Sequence, residues 1–356
     1  MTRVRESGNK NKSKGQDFPL VSVVLTGYNE EDTIEMCIKS IFNQTYPNFE
    51  IIYIDAKSSD GTFKKAIGLE SISKCYNVCK RYIALSVDKV NSPAKGRNYG
   101  TSIASGTIIA FIDADCIAER DWLESLVKCI STNTKVVGGP NILRCLSKSK
   151  IVAAIHDVLG TYFGSGGSAQ FMEISKPRYV RALSSANLAI DKKLFYDLGG
   201  FDESLRYNED SDLGHKLRKR GYKILYSPEA RVNHFMGIES YSDFLKILKK
   251  YSYERGKNIN KKPWLLSKSI IFSIACIISG GLILAQFLIF KTEGLFVLSM
   301  IASILAIIAV ISAQLAIQKR SPSLLLLAPA IYFSIYFTYN LHFLSGYFDG
   351  LTSFKK

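Results

Sequence analysis

Thr107-Ile-Ile-Ala-Phe-Ile-Asp113-Ala-Asp115 decides how this chain folds. Residues 108–112 are β-branched and aromatic and follow the turn signal Ser105-Gly106, which predicts a buried strand. The strand runs straight into two carboxylates one residue apart. Strand side chains repeat every two residues, so Asp113 and Asp115 point the same way at its C-terminal end. Side by side they repel each other and lose hydration, and a divalent cation would relieve both costs. Hard cations held this way commonly bridge protein carboxylates to a diphosphate. The bland alternative is a solvated strand end with two incidental aspartates, and Asp-x-Asp alone does not choose between them.

Outward from this strand the signals alternate. Residues 21–25 form a continuous β-branched run, suited to a strand buried on both faces of a parallel sheet. Residues 31–42 follow as an amphipathic helix with Ile34, Ile38, Ile41 and Phe42 on one face. Then come a strand at 49–54, a helix at 62–69, a strand at 81–85 and a helix at 94–105. The βαβα order predicts an α/β fold with an open, mostly parallel sheet flanked by helices. Ligands of such sheets sit beyond the carboxyl ends of the strands. Those ends carry Thr26-Gly-Tyr28-Asn-Glu30, then Asp55, then Asp113 and Asp115.

The chain has 356 residues, enough for one sizeable α/β domain and a second region. Residues 269–290, 294–317 and 324–348 are apolar runs without Asp, Glu, Lys or Arg, and each predicts a membrane-spanning helix. A re-entrant or interfacial third segment is the alternative, because Lys355 and Lys356 would otherwise lie outside. The formal net charge is +15, and its placement matters more than its size. Lys246, Lys249, Lys250, Arg255, Lys257, Lys261, Lys262 and Lys268 crowd the stretch before the first run, which favours the cytoplasmic side and anionic headgroups. Within it, residues 242–253 carry Phe244, Ile247, Leu248 and Tyr251 at helical spacing opposite lysines, the pattern of an interfacial helix or of one packed on the soluble domain. No basic stretch is interleaved with stacking aromatics, so nucleic acid is not the expected partner. Residues 1–14 are basic and polar with no apolar core, the composition of a disordered tail rather than a signal peptide. The seven cysteines are scattered and form no zinc pattern, as in a reduced cytoplasmic domain.

Six short segments then fall in one order. They are Val-Ser-Val-Val-Leu-Thr-Gly-Tyr-Asn-Glu30, Asp55-Ala-Lys-Ser-Ser-Asp60-Gly-Thr, Lys95-Gly-Arg97-Asn98-Tyr-Gly100, the Asp113-x-Asp115 strand, Ser184-Ser-Ala186-Asn187, and Gly199-Gly-Phe-Asp202-Glu203 with Asn208-Glu209-Asp210. Over 19–235 the chain resembles family 2 glycosyltransferases of the GT-A fold, here with a C-terminal membrane anchor. One departure is Asp55-Ala56, where relatives usually carry two aspartates, so base recognition is left open.

The resemblance implies a nucleotide-diphosphate sugar donor and Mg²⁺ or Mn²⁺. It assigns Asp113 and Asp115 to the metal, Asp115 more directly, with His234 reaching the metal or diphosphate. Thr26, Tyr28, Glu30 and Asp55 would face the nucleotide. Arg97 could clamp phosphate, or could be a surface helix arginine. Asp210, beside Glu209, would be the general base, although acids there could also simply favour a helix N-terminus. Inversion in one displacement is implied. Gln-x-x-Arg-Trp, which marks the processive synthases related to this family, is absent, so transfer of one sugar is expected. The glycine- and serine-rich stretch 164–177 reads as a loop that orders over substrates or as a plain surface loop.

The resulting map has a basic tail at 1–18, a catalytic domain at 19–235, a basic amphipathic segment at 236–266 and a membrane anchor at 267–356. The expected acceptor is a membrane lipid, namely a polyprenyl (dolichyl) phosphate, a lipid-linked oligosaccharide or a glycolipid. Two alternatives stand beside this reading. One is a catalytically silent membrane scaffold of the same fold, and the other is a metal-dependent nucleotidyltransferase.

Overall fold

The β-branched runs do become the centre of one sheet. The computed structural model describes residues 18–73, 79–131, 133–145, 147–266, 270–271 and 294–353. Along the first half run β1 (Val21–Gly27), α1 (Ile34–Phe42), β2 (Phe49–Asp55), α2 (Thr62–Gly68), α3 (Glu70–Ser73), β3 (Cys79–Ser86), α4 (Pro93–Ser102) and β4 (Ile108–Asp113). Next come β5 (Cys116–Ala118), α5 (Trp122–Cys129), β6 (Val136–Gly138), β7 (Asn141–Leu143), α6 (Lys150–Leu159), β8 (Arg178–Val180), β9 (Asn187–Asp191) and α7 (Lys192–Asp197). The chain continues through α8 (Glu209–Lys219), β10 (Ile224–Tyr226), β11 (Val232–His234), α9 (Tyr241–Asn258), α10 (Gly294–Gln318) and α11 (Leu324–Ser353).

The main sheet has the order β3-β2-β1-β4-β9-β6-β10-β8, and its β3-β2-β1-β4 half is parallel throughout. β9 runs antiparallel to β4 and to β6, which reverses the sheet beyond the acidic strand. A small second sheet, β5-β11-β7, stands beside it. β1, β2 and β4 are buried on both faces, which is why they read as unbroken apolar runs instead of alternating ones. Val23, Ile51 and Ala110 pack with α1 and α5 on one side, while Val24, Ile52, Ile109 and Phe111 pack with α4, α7 and α8 on the other. Register matters most here: Thr26 pairs with Asp113 and Gly27 with Asp55, so three loop-starting residues leave the sheet at one edge.

α4 crosses that edge very closely. A Cβ on Gly96 would strike the Thr26 side chain, and one on Gly100 would strike Val24. These two glycines let the helix lie on β1 and carry Arg97 to the ends of the strands.

The C-terminal region corrects the expectation of three spans. Among the described residues one helix, Leu324–Thr352, is long and apolar enough to cross a membrane. The run 294–317 lies in α10, of which Ile304–Gln318 stands as a shorter apolar helix. The run 269–290 lies outside the described residues except for 270–271. Part of the apolar signal has a packing cause: Leu315 and Ala316 of α10 and Leu324, Ala328 and Ile331 of α11 form one core with Val152, Ile155 and Val158 of α6.

α9 packs along α11 with backbone nearly touching backbone. A Cβ on Gly256 would overlap the Phe343 carbonyl, and one on Gly346 would overlap that of Tyr253. The stretch 164–177 and the turn before it are fastened rather than loose. Tyr332 and Tyr336 of α11 bond Thr161 and Phe163 at 3.0 Å each, and the Tyr226 hydroxyl donates to the Met172 carbonyl at 2.8 Å.

Candidate active site

β4 stops at Asp113, so Asp115 sits in the turn into β5 and the strand pleat no longer aims it. The two carboxylates accordingly have different partners. Asp113 accepts from Arg97 Nη2, and Nη1 of the same guanidinium donates to Glu209 Oε1 at 2.8 Å. Asp115 Oδ2 lies 3.1 Å from His234 Nε2. The β11–β5 pairing brings that histidine in, with His234 opposite Cys116 and the Phe235 amide donating to the Asp115 carbonyl at 2.9 Å.

Different partners do not mean separate fields. Burial first, then the charges of Asp115 and Asp113, push the Glu30 carboxyl up to about 8. His234 is also buried, which by itself would lower its pKa, but Asp115 outweighs that and raises it. Glu30, Asp113, Asp115 and His234 therefore lie within reach of one another's charge at the edge of the sheet.

The loops around it are knitted together. The Asn29 amide donates to Ser58 Oγ at 2.9 Å, the Ser59 amide to Asn29 Oδ1 at 2.8 Å, and the Glu30 amide to Thr62 Oγ1 at 2.8 Å. Asn29 is left-handed (φ 57°), a conformation asparagine tolerates better than most residues. Tyr28 stands 57% exposed at the rim. Asp55 is fully buried, and its oxygens accept from the hydroxyls of Ser58, Ser86 and Tyr53 at 2.6, 2.9 and 3.2 Å and from the Ser58 amide at 3.0 Å. These bonds hold the second loop in shape. Thr26 lies under Gly96 of α4.

Arg97 is the centre of the arrangement. It is 3% exposed and bridges an acid at the end of β4 to an acid at the start of α8. Burial alone would lower its pKa, yet Asp113 and Glu209 hold it raised, so it stays a cation. Glu209 is pushed up to about 7, by burial first and by Asp210, with Arg97 pulling the other way. Asp210 is raised as well, chiefly by burial. No lysine or arginine among the described residues lies within ion-pair distance of it. Glu209 thus pairs with Arg97, while Asp210 feels the charges of Arg255 and Arg97 from further off.

Several residues hold the site in roles that the sequence does not reveal, although Asn98 and Asn187 stand within the segments quoted above. Asn98 donates to the Phe201 carbonyl at 2.9 Å and accepts from the Phe201 amide at 3.0 Å, fastening Gly199-Gly-Phe-Asp202 to α4. Asn187 is buried, accepts from Trp122 Nε1 at 2.8 Å and donates to the carbonyls of Pro140 and Ala230. Lys262 bonds Asp202 at 2.6 Å and Asp212 at 2.9 Å, and Trp264 Nε1 adds a bond to Asp212 at 3.0 Å. Lys262 and Arg255 thus come from the cluster read as membrane-facing yet turn inward.

Residues 22–195 match the family model Glycosyl transferase family 2. The chain carries a family 2 glycosyltransferase domain. Glycosyltransferase AglE of Haloferax volcanii is 28% identical over 254 residues, spanning 70% of this chain and 76% of that one. A dolichyl N-acetyl-alpha-D-glucosaminyl phosphate 3-beta-D-2,3-diacetamido-2,3-dideoxy-beta-D-glucuronosyltransferase of Methanococcus voltae is 22% identical over 347 residues, spanning 94% and 99%. The fold is shared with the mannosyltransferase PcManGT from Pyrobaculum calidifontis, solved with GDP-Man and Mn²⁺, at a TM-score of 0.60 and 18% identity over 94% of this chain and 88% of that one.

The glycosyltransferase domain has a donor set that fits a hard divalent cation. Ligand atoms of Asp115, Cys116 and His234 lie within 4.8 Å of one another. Burial raises the Cys116 thiol well above its ordinary range, while carboxylate and imidazole are the donors a hard cation prefers. Burial is the largest cause of the upward push on Glu30, and the remainder is repulsion from Asp115 and Asp113, which a cation there would offset.

Proposed function

We propose that this glycosyltransferase is metal-dependent and inverting. It moves one sugar from a nucleotide-diphosphate donor to a membrane lipid acceptor at the cytoplasmic face. The observation that carries the reading is the placement of two acidic groups on either side of buried Arg97: the Asp113–Asp115–His234–Glu30 cluster, and Asp210 at the start of α8.

Asp115 and His234, with Asp113 and Glu30 beside them, would hold Mg²⁺ or Mn²⁺, whose charge offsets that of the departing diphosphate. Arg97 keeps Asp113 in place instead of reaching the donor as a clamp. Tyr28 offers a flat exposed ring, and the loop built on Asp55 forms the neighbouring wall for the nucleotide. Asp210 takes the proton of the acceptor, from a sugar hydroxyl or from a singly protonated lipid phosphate, as the acceptor oxygen bonds the anomeric carbon and the carbon–diphosphate bond breaks on the opposite side. Its raised pKa makes it a better proton acceptor than an ordinary aspartate.

The Methanococcus voltae relative acts, by its name, on a dolichyl-linked sugar phosphate. That name, the apolar helix Leu324–Thr352 and the exposed lysines 246, 249 and 250 of α9 favour a lipid acceptor over a soluble one. A polyprenyl phosphate, a lipid-linked oligosaccharide and a glycolipid all fit.

The test is a panel of UDP- and GDP-sugars assayed by thermal shift on the full chain, with and without Mn²⁺. Ligand linkage predicts about 2.7 kcal/mol of stabilisation at a hundredfold excess over Kd. Nucleoside diphosphate should then be released when membrane lipids are added. Stabilisation by nucleotide sugar that ignores the metal, or its absence across the whole panel, would sink the proposal.

A further inference from the structure

Asn208, the residue before Glu209 and Asp210, is fully buried in the left-handed region (φ 68°, ψ 18°). Asparagine tolerates that region better than most residues, yet a fully buried one is held there by its surroundings. The surroundings in this case come from α9. Arg255 Nε donates to Asn208 Oδ1 at 2.7 Å, and Nη2 reaches Ser211 Oγ at 3.5 Å. One guanidinium therefore grips the residue before the acidic pair and the residue after it.

The position of that guanidinium is set by α11. Gly256, next to Arg255, lies against the Phe343 carbonyl, and Gly346 and Gly350 of α11 lie against the carbonyls of Tyr253 and Lys257. Contacts between backbones have little give, so α9 cannot slide along α11 without overlap. A shift of α11 is thereby carried to the turn that aims Asp210.

We infer that Arg255 is a positioning residue for Asp210, and that the helix pair α9–α11 is part of the catalytic apparatus as well as an attachment. This rests on the reading of Asp210 as the proton acceptor. The misplacement of a reacting group by about 1 Å costs on the order of 10²-fold in rate. Arg255 is the side chain that prevents it.

The experiment uses the full chain in lipid nanodiscs with Mn²⁺ and the UDP- or GDP-sugar that stabilises it most, and follows release of nucleoside diphosphate. Arg255→Ala should lower kcat by about 10²-fold while donor KM and the Mn²⁺ dependence stay put. Arg255→Lys should recover part of the loss, because one ammonium can reach Asn208 but cannot also span to Ser211. Asn208→Gly adopts the left-handed turn without strain. In that background Arg255→Ala should cost less than about tenfold, a coupling a generic packing defect would not show.

An unchanged kcat in Arg255→Ala overturns the inference. So does an equal loss in both backgrounds, or a loss expressed mainly in donor KM. Asp210→Asn, run in parallel, separates the two levels. Full activity there defeats the reading of Asp210 and this inference with it, whereas failure of the Arg255 variants alone leaves Asp210 standing.

Discussion

The two halves of the site are built differently. The donor half sits where three parallel strands end together, and its side chains are aimed by strand register and by short loops bonded to each other. The acid half, Asn208 to Asp212, is an isolated turn and helix start held by side chains from far along the chain: Arg97 of α4, Arg255 of α9 and Lys262 beyond it. One half inherits its geometry from the sheet, and the other has to be assembled. The donor half should therefore keep its shape when a side chain is changed, and the acid half should not.

The largest effect expected is on the donor side. Asp115→Asn keeps the shape and removes one charge. Metal-dependent donor binding should vanish and transfer should fall by about 10³ to 10⁴, the several kcal/mol a bound cation supplies. The fold should survive, as circular dichroism and a melt without metal would show. Transfer at the normal rate would break the assignment of the cluster.

Asp210→Asn puts the same chemistry on the acid side. Turnover should drop by about 10² to 10⁴ with donor and metal binding retained, measured by titration of donor into the variant. If donor affinity collapses instead, the two halves are one nucleotide site and the contrast between them is false.

Arg97→Met strikes the joint between them. It leaves Glu209 buried and Asp113 partly buried without their cation, at a cost of about 3 kcal/mol of stability. Adding Glu209→Gln should return part of this. A double variant no more stable than the single one would mean that the arginine serves Asp113 alone.

The smallest effect concerns Lys262, which is partly exposed. Burial alone would raise the Asp202 carboxyl, but Lys262 and Ser204 pull it from 3.8 down to about 2. A depressed carboxylate contributes stability above its unfolded value and loses it as pH falls through the folded one. The gap in melting temperature between the native chain and Lys262→Met should therefore be full at pH 5 and narrow between about pH 4 and pH 2. A gap that holds constant down to pH 2 would show that Lys262 acts through packing, not through Asp202.

The sequence alone carried the succession of strands along the chain up to β4, the helices between, and the sheet edge at which Thr26, Glu30, Asp55, Asp113 and Asp115 gather. Periodicity within a segment is written in neighbouring residues, and a parallel sheet converts strand ends into one edge. Asp210 could be picked out only by resemblance, since an acidic pair at a helix start has an ordinary local explanation. Helix ends moved by a few residues: the helix read at 94–105 runs Pro93–Ser102, and that read at 31–42 begins at Ile34. Three apolar runs looked alike in composition, yet α10 and α11 share a core with α6, which hydropathy cannot distinguish from contact with lipid. The tertiary structure alone decided that Arg97 bridges Asp113 to Glu209, that Arg255 holds Asn208, and that Lys262 turns away from the basic cluster toward Asp202 and Asp212. A charge pair between distant residues leaves no periodic trace in the chain, and the partner of a buried charge exists only once the fold has excluded water around both.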